Sequence, residues 1–542
     1  MDLMLKLRPS FFFSFLIFIF LLQKPNLGSA SSPKCISTER QALLTFKQSL
    51  TDPSGRLSSW SRPDCCKWRG VCCDRRTSYV IKIDLRNPNQ TLRRNGEFRN
   101  GSLGGKIHPS LTRLKFLSYL DLSSNDFNFT EIPEFVGHIV SLRYLNLSFS
   151  SFSGEVPASF GNLSKLESLD LYAQTFSDDL FTMNLRASKL GWLSGLSSSL
   201  TYLNMGFASL SGAGENWLQD FSRLSKLKEL HLFNCELRSL PLSLPSSANL
   251  KLLEVLDLSR NYFYSPTPNW LFDLTSLRKL FLQLVRLQGS ISPGFKKLKL
   301  LETLDLSKNE LSGEIPAVLG DLPRLKYLDL SENSFQGQIH RFLDALSKNK
   351  GNSSLLSLSL MFDRLDGTLP ESLGALRNLH ILDLSENKLS GSVPKCMGNL
   401  TAIVQGKSVD EYYEYQEIRD SINLSGNNIN GEMPVEILDL TYLRILNLSR
   451  NSVAGSIPGN ISKLGHLETL DLSRNRFSGA IPQSLAAISS LHTLNVSYNK
   501  LEGSIPKQLK FKDPSIYAGN ELLCGKPLSK KCARKQQDVV VN

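Results

Sequence analysis

The chain has 542 residues, 41% apolar and 21% charged, a balance that excludes a mostly disordered protein. Its 62 Lys+Arg against 50 Asp+Glu leave a formal charge of +12. That charge is scattered rather than blocked, so it permits anionic partners such as pectin, nucleic acid or lipid headgroups and specifies none.

At the N-terminus, Lys6 and Arg8 precede an apolar run from Phe11 to Leu22, and the small residues Gly28, Ser29 and Ala30 follow. The run is shorter than the roughly 20 residues a membrane span needs. Residues 1–30 therefore read as a secretory signal peptide, and no later stretch approaches the length of a span. Residues 31–79 hold Cys35, Cys65, Cys66, Cys72 and Cys73. In an oxidising compartment they read as a disulfide cap rather than a zinc site, so no metal and no cofactor is expected. The nine cysteines are an odd number, which leaves at least one thiol free or paired between chains.

From residue 80 the chain repeats itself. Leu301 opens LETLDLSKNELSGEIPAVLGDLPR, and Leu325 restarts the phrase as LKYLDLSENSFQGQIHRFLDALSK, a period of 24 residues. One slot holds Asn125, Asn261, Asn309, Asn333, Asn387, Asn427, Asn451, Asn475 and Asn499, and elsewhere Ser150, Gln174, Ala208, Cys235, Val285 or Asp363. About sixteen such units are present. Leucines spaced by two point inward from a short strand, and the ladder Asn bonds the backbone of the adjoining turn. No unit buries its apolar face alone, so the units stack into an α/β-type solenoid with one core and a concave parallel β-sheet.

Two spacings break the period. About ten residues are inserted between Gln174 and Ala208, and Asn387 to Asn427 spans forty. The second insertion, residues 402–421, includes SVDEYYEYQEIRD and reads as a short island, with repeats 80–401 before it. Four terminal repeats (422–511), then a C-terminal cysteine cap and basic tail (512–542), follow it.

No phosphate-binding loop, HExxH, GxSxG or kinase signature is present, so catalytic residues are not expected. The aspartates of LDLS (Asp121, Asp257, Asp305, Asp329, Asp383, Asp471) read as a repeated solvent-facing slot with no environment to raise a pKa. Binding has better support. Tyr144, Phe149, Tyr172, Tyr202, Phe207, His231, Phe233 and Phe281, with Met361 and Phe362 beyond, fall at concave positions, where aromatics serve as interface anchors. Arg444, Arg450 and Arg474 mark a plainer terminal surface suited to docking another solenoid. Sequons occur at Asn89, Asn100, Asn128, Asn146, Asn162, Asn352, Asn399, Asn423, Asn447, Asn460 and Asn495. Asn146, Asn423 and Asn447 lie on strands, where a glycan would crowd the concave face.

LxGxIP within a 24-residue repeat resembles the plant extracellular subclass of leucine-rich repeats. ERQALLTFKQSL, SSW and DCCKWRGVCCD resemble its N-terminal cap, and GNELLCGKPLSKKC (Asn520–Cys532) resembles the C-terminal cap of plant receptor-like proteins. The resemblance covers almost the whole chain after residue 30. It implies a superhelix with a second strand at the GxIP segment, and disulfides Cys35–Cys65, Cys66–Cys73 and Cys524–Cys532. Functionally it implies extracellular recognition of a peptide, protein or glycan ligand in defence or development. Signalling would run through leucine-rich-repeat receptor kinases as co-receptors, with no nucleic-acid partner. Receptor-like proteins normally continue into a membrane helix, and this sequence ends at Asn542. The expected location is therefore the apoplast, or the plasma membrane if the sequence is a truncated receptor. A soluble inhibitor of cell-wall-degrading enzymes, resembling polygalacturonase inhibitors, is the alternative.

Overall fold

The computed structural model describes residues 35–88, 101–173, 183–244, 248–348, 354–406 and 419–532. The signal segment 1–30, Gln174, the sequons Asn89, Asn100 and Asn352, island residues 407–418 and the tail beyond Cys532 lie outside the described residues.

Most repeats lay down a three-residue strand with a leucine at its centre; the first strand, Val80–Asp84, is longer, and Ser421–Asn423 carries Ile422 there. In the repeat that starts at Leu301, the strand is Thr303–Asp305, and Leu301, Leu304, Leu306, Leu311 and Leu319 are all fully buried. Each such side chain contributes roughly 1.5–3 kcal/mol. Pro316, like Pro133, Pro157 and Pro482, immediately precedes a 3-10 turn, where its fixed φ suits the entry.

The chain divides into two compact units, the first ending at Phe263 and the second starting at Tyr264. In the first, Val80–Asp84, Tyr119–Asp121, Tyr144–Asn146, Ser168–Asp170, Tyr202–Asn204, Glu229–His231 and Val255–Asp257 pair in parallel in that order. In the second, nine strands pair in the same way: Lys279–Phe281, Thr303–Asp305, Tyr327–Asp329, Ser357–Ser359, Ile381–Asp383, Ser421–Asn423, Ile445–Asn447, Thr469–Asp471 and Thr493–Asn495. Leucine faces leucine across neighbouring strands, as Leu304 faces Leu328, which pins the register because a one-residue slip would expose the core set.

The second strand implied by the resemblance is present. Glu310–Gly313, Ser334–Gln338 and Arg364–Asp366 form one secondary ladder, and Ala454–Ser456, Arg476–Ala480 and Lys500–Ser504 form another. Each bends at a glycine of positive φ, such as Gly313 (84°) and Gly479 (72°), a conformation that costs a glycine little.

The asparagine ladder ties repeat to repeat. Asn309 Nδ2 donates to Leu282 O (2.8 Å) and Leu306 O (2.9 Å), while its Oδ1 accepts from the Val285 and Leu287 amides (3.1 and 3.0 Å). Ala208, Cys235 and Val285, which replace Asn elsewhere, are fully buried. The residue before the ladder position is left-handed without being glycine: Lys308 (57°), Glu332 (54°), Arg474 (54°) and Tyr498 (53°). Such a conformation costs roughly 1–2 kcal/mol, and the ladder bonds on either side hold it.

Both caps close on disulfides with the expected partners, Cys35–Cys65, Cys66–Cys73 and Cys524–Cys532. In the N-terminal cap, helix Ser37–Ser49 buries Ala42, Leu43 and Phe46, and Trp60 stacks on Trp68 at 5.2 Å. Buried Glu39 accepts the Val80 amide at 2.7 Å and so anchors the cap to the first long strand. At the other end, Leu522–Cys524 extends the secondary ladder, and Asn520 forms a last rung by accepting the Leu501 amide at 3.0 Å.

Candidate ligand-binding face of the first unit

The outer positions of the strands form columns, because parallel register places like positions side by side. One column carries Tyr119 and Tyr144, whose rings stack in parallel at 4.2 Å. Lys82 lies 4.0 Å from the Tyr119 ring centroid. Both phenol hydroxyls donate to Asp121 Oδ2 at 3.3 Å, and Asn146 donates to the Tyr144 hydroxyl at 3.2 Å. Further along, Tyr202 lies 5.5 Å from His231, and His231 Nε2 lies 3.6 Å from Glu229 Oε2.

A second row zigzags between two adjacent positions of successive turns. Phe149 meets Tyr172 at 4.7 Å, Tyr172 meets Phe207 at 5.3 Å, Phe207 meets Phe233 at 5.4 Å, and the Arg260 guanidinium covers Phe233 at 5.3 Å. Phe149 (52°), Phe207 (63°) and Arg260 (57°) hold the left-handed position that turns the side chain away from the core. Gly206 makes room in this row, since a Cβ there would come within 2.7 Å of the Tyr172 ring.

Of the residues singled out from sequence, Tyr144, Phe149, Tyr172, Tyr202, Phe207, His231 and Phe233 are half-buried and fall within these two rows. Phe281 is half-buried in the second unit, on strand Lys279–Phe281, and Phe362 there is 54% exposed. Sequence reasoning missed Tyr119, Lys82 and Arg260. Tyr119 was open to detection, since it stands one repeat before Tyr144 in the same column. Arg450 pairs with Glu386, Arg444 with Glu468 at 3.0 Å, and Arg474 covers Tyr498 at 4.6 Å.

The aspartate slot differs from expectation. Asp121 and Asp305 are each 1% exposed, and the others in the slot are half-buried. The turn that follows wraps the carboxylate: Ser307 donates both its amide (2.9 Å) and its hydroxyl (2.6 Å) to Asp305 Oδ1. Side chains on neighbouring strands, about 4.8 Å away, exclude water. Burial accordingly pushes the Asp170 carboxyl up to about 6 and raises Asp121 and Asp257. Asp329 is also lifted to about 6, by burial and by the neighbouring Asp305 carboxylate.

Asn146 on its strand is 8% exposed and bonded on both sides, its Oδ1 accepting the Ser148 amide at 2.9 Å. Asn423, Asn447 and Asn495 likewise spend their Oδ1 on the turn that follows. The sequon residues Asn128, Asn162, Asn399 and Asn460 are exposed. Three cysteines remain as thiols: Cys72 exposed, Cys235 and Cys396 buried.

Comparison with known proteins follows the same lines. The Leucine rich repeat N-terminal domain matches residues 36–74, and Leucine rich repeat families match residues 141–163, 290–335, 378–400 and 441–501. The fold is that of a leucine-rich-repeat solenoid. Among its relatives, receptor-like protein EIX1 of Solanum lycopersicum is 42% identical over 272 residues, which is 48% of this chain and 25% of the relative. Receptor-like protein EIX2 of the same organism is 37% identical over 266 residues, again 48% and 25%. The matched stretch thus spans about a quarter of these relatives' length. Among solved structures, a TDR receptor aligns at a TM-score of 0.55 with 25% identity, covering 72% of this chain and 65% of that one. The Arabidopsis receptor kinase HAESA, solved with the peptide hormone IDA and the co-receptor SERK1, shares the fold at a TM-score of 0.51 and 24% identity, covering 90% and 98%. Among the described residues no helix is long and apolar enough to cross a membrane.

Proposed function

We propose that this is an extracellular ligand-recognition protein of the plant receptor-like type. It takes a peptide, protein or glycan on the sheet face of its first unit and acts through partner receptor kinases. The observation that carries the reading is the aromatic row Phe149–Tyr172–Phe207–Phe233. In the second unit the position of Tyr172 and Phe233 carries Ser307, Ser331, Ser385, Ser449 and Ser473, and that of Phe149 and Phe207 carries Lys308, Glu332, Glu386, Arg450 and Arg474, with Phe362 and Tyr498 as isolated aromatics, so the scaffold itself does not require a continuous aromatic row. Half-exposed rings held by their neighbours offer contact area at little entropic cost. The similarity to receptor-like proteins supports recognition rather than catalysis, and the three disulfides fit an oxidising, extracellular setting.

The test is a screen of the purified chain against arrayed extracellular plant and microbial peptides, proteins and glycans. It is repeated with the triple variant Phe149→Ser, Phe207→Ser, Phe233→Ser and with a second-unit control, Lys308→Ala. Binding is expected to vanish in the first variant and persist in the second, with both folded by circular dichroism. Retention of every ligand by the triple variant would overturn the assignment. Inhibition of a fungal polygalacturonase by the purified chain would replace it with the inhibitor reading.

A further inference from the structure

The tyrosine column has a gap. Register places Lys82, Tyr119, Tyr144, Ser168, Tyr202 and Glu229 side by side on consecutive strands. Where Tyr119 presents a ring to one side of Tyr144, Ser168 presents only a hydroxymethyl group to the other. With neighbouring strands about 4.8 Å apart, the Tyr144 and Tyr202 backbones stand roughly 10 Å apart across Ser168. A flat group held between two rings needs about 7–8 Å between their planes.

The floor of the gap is also distinct. Asp121, Asp305, Asp329 and Asp383 each accept a serine hydroxyl at 2.6–2.7 Å from two residues on. After Asp170 that position is Tyr172, which gives its backbone amide at 3.1 Å. The Tyr202 hydroxyl reaches Asp170 Oδ2 only at 3.5 Å, well beyond the usual length of about 2.7–2.8 Å for such a bond. Asp170 therefore keeps acceptor capacity that Asp121, Asp305, Asp329 and Asp383 spend on serine. The first strand carries a small-scale precedent: the Lys82 ammonium lies over the Tyr119 ring at 4.0 Å and 3.2 Å from Asp84.

We propose that Tyr144, Ser168, Asp170 and Tyr202 form a slot for one guanidinium group, the side chain of an arginine in an extended peptide ligand. A guanidinium is planar, stacks on aromatic faces and donates from its edge to a carboxylate, so it satisfies walls and floor together. A neutral aromatic ring would fill the walls but offer the carboxylate no charged donor. An ammonium would meet the carboxylate but not both rings. The slot rests on the reading of this face as the ligand-binding one, and names the chemistry it selects.

The test uses N-acetyl-arginine methylamide as probe, with its citrulline counterpart as the uncharged isostere, titrated by calorimetry or NMR. The arginine probe is expected to bind at least tenfold more tightly than the citrulline probe. Ser168→Tyr, which fills the gap with a ring, and Asp170→Asn, which removes the charge, are each expected to weaken it at least tenfold while leaving circular dichroism unchanged. Equal binding of both probes, unchanged binding in the two folded variants, or no binding by the unaltered chain overturns the slot. The Phe149/Phe207/Phe233 variant changes none of the four slot residues. Its loss of a screened ligand alongside a failed arginine titration would sink this inference and leave the wider assignment standing.

Discussion

Asp363 occupies a ladder position that asparagine fills elsewhere. Its Oδ1 accepts the Phe335 amide at 3.0 Å, as a ladder amide oxygen does, while its buried Oδ2 has no hydrogen-bond partner. In every asparagine rung the corresponding atom is a donor aimed at backbone carbonyls, so the acid fits only when protonated. Burial lifts its carboxyl to about 7. A folded-state pKa raised above the unfolded value of about 3.9 gives stability that is full below that value and is lost as pH rises through 7. Asp363→Asn is therefore expected to change the melting temperature little at pH 4 and to raise it at pH 8, by on the order of 3 kcal/mol in stability. Denaturation curves at the two pH values check this, and equal effects at both would contradict it. Cys72 gives a second residue-scale expectation. Its exposed thiol should react with a maleimide in the native protein, whereas Cys235 and Cys396, buried and with their thiol pKa values raised by that burial, should react only after unfolding. Mass spectrometry of labelled peptides reads this out.

The element that matters most is the turn between strand and ladder. Asn475 donates to Leu448 O and Leu472 O and accepts the Val453 amide at 2.9 Å. Asn475→Ala would leave these buried groups unsatisfied, at about 1–3 kcal/mol for each group stranded. A loss of about 2–4 kcal/mol in urea unfolding is expected, and a loss below 0.5 kcal/mol would show that water replaces the rung. The leucine pattern made the strands legible, because a period of two for the strand and 24 for the repeat leaves few alternatives. The asparagine rungs followed from the same phrase. The left-handed position before each rung did not, since Lys, Glu, Phe and Arg at that place carry no sequence signal for positive φ; only the turn's geometry imposes it.

At the scale of the molecule, a stack of repeats depends on its ends. Removing the C-terminal disulfide with Cys524→Ser and Cys532→Ser should cost about 2–3 kcal/mol from loop closure alone. The loss should appear first as faster hydrogen exchange in the repeats next to the cap, where each unit is held by its neighbours. Uniform acceleration along the chain would argue that the second unit unfolds all at once instead. The repeat phrase by itself determined the solenoid and its asparagine ladder, because each is a local rule applied many times, whereas the caps, their disulfides and the second strand were implied by the family resemblance. Which side chains meet was decided by the tertiary structure. The burial of the aspartate row, the zigzag of Phe149, Tyr172, Phe207 and Phe233, and the gap at Ser168 all arise between residues 23–35 positions apart. Parallel register brings those residues within about 5 Å of strand spacing, and no reading of one repeat contains the next repeat's side chain.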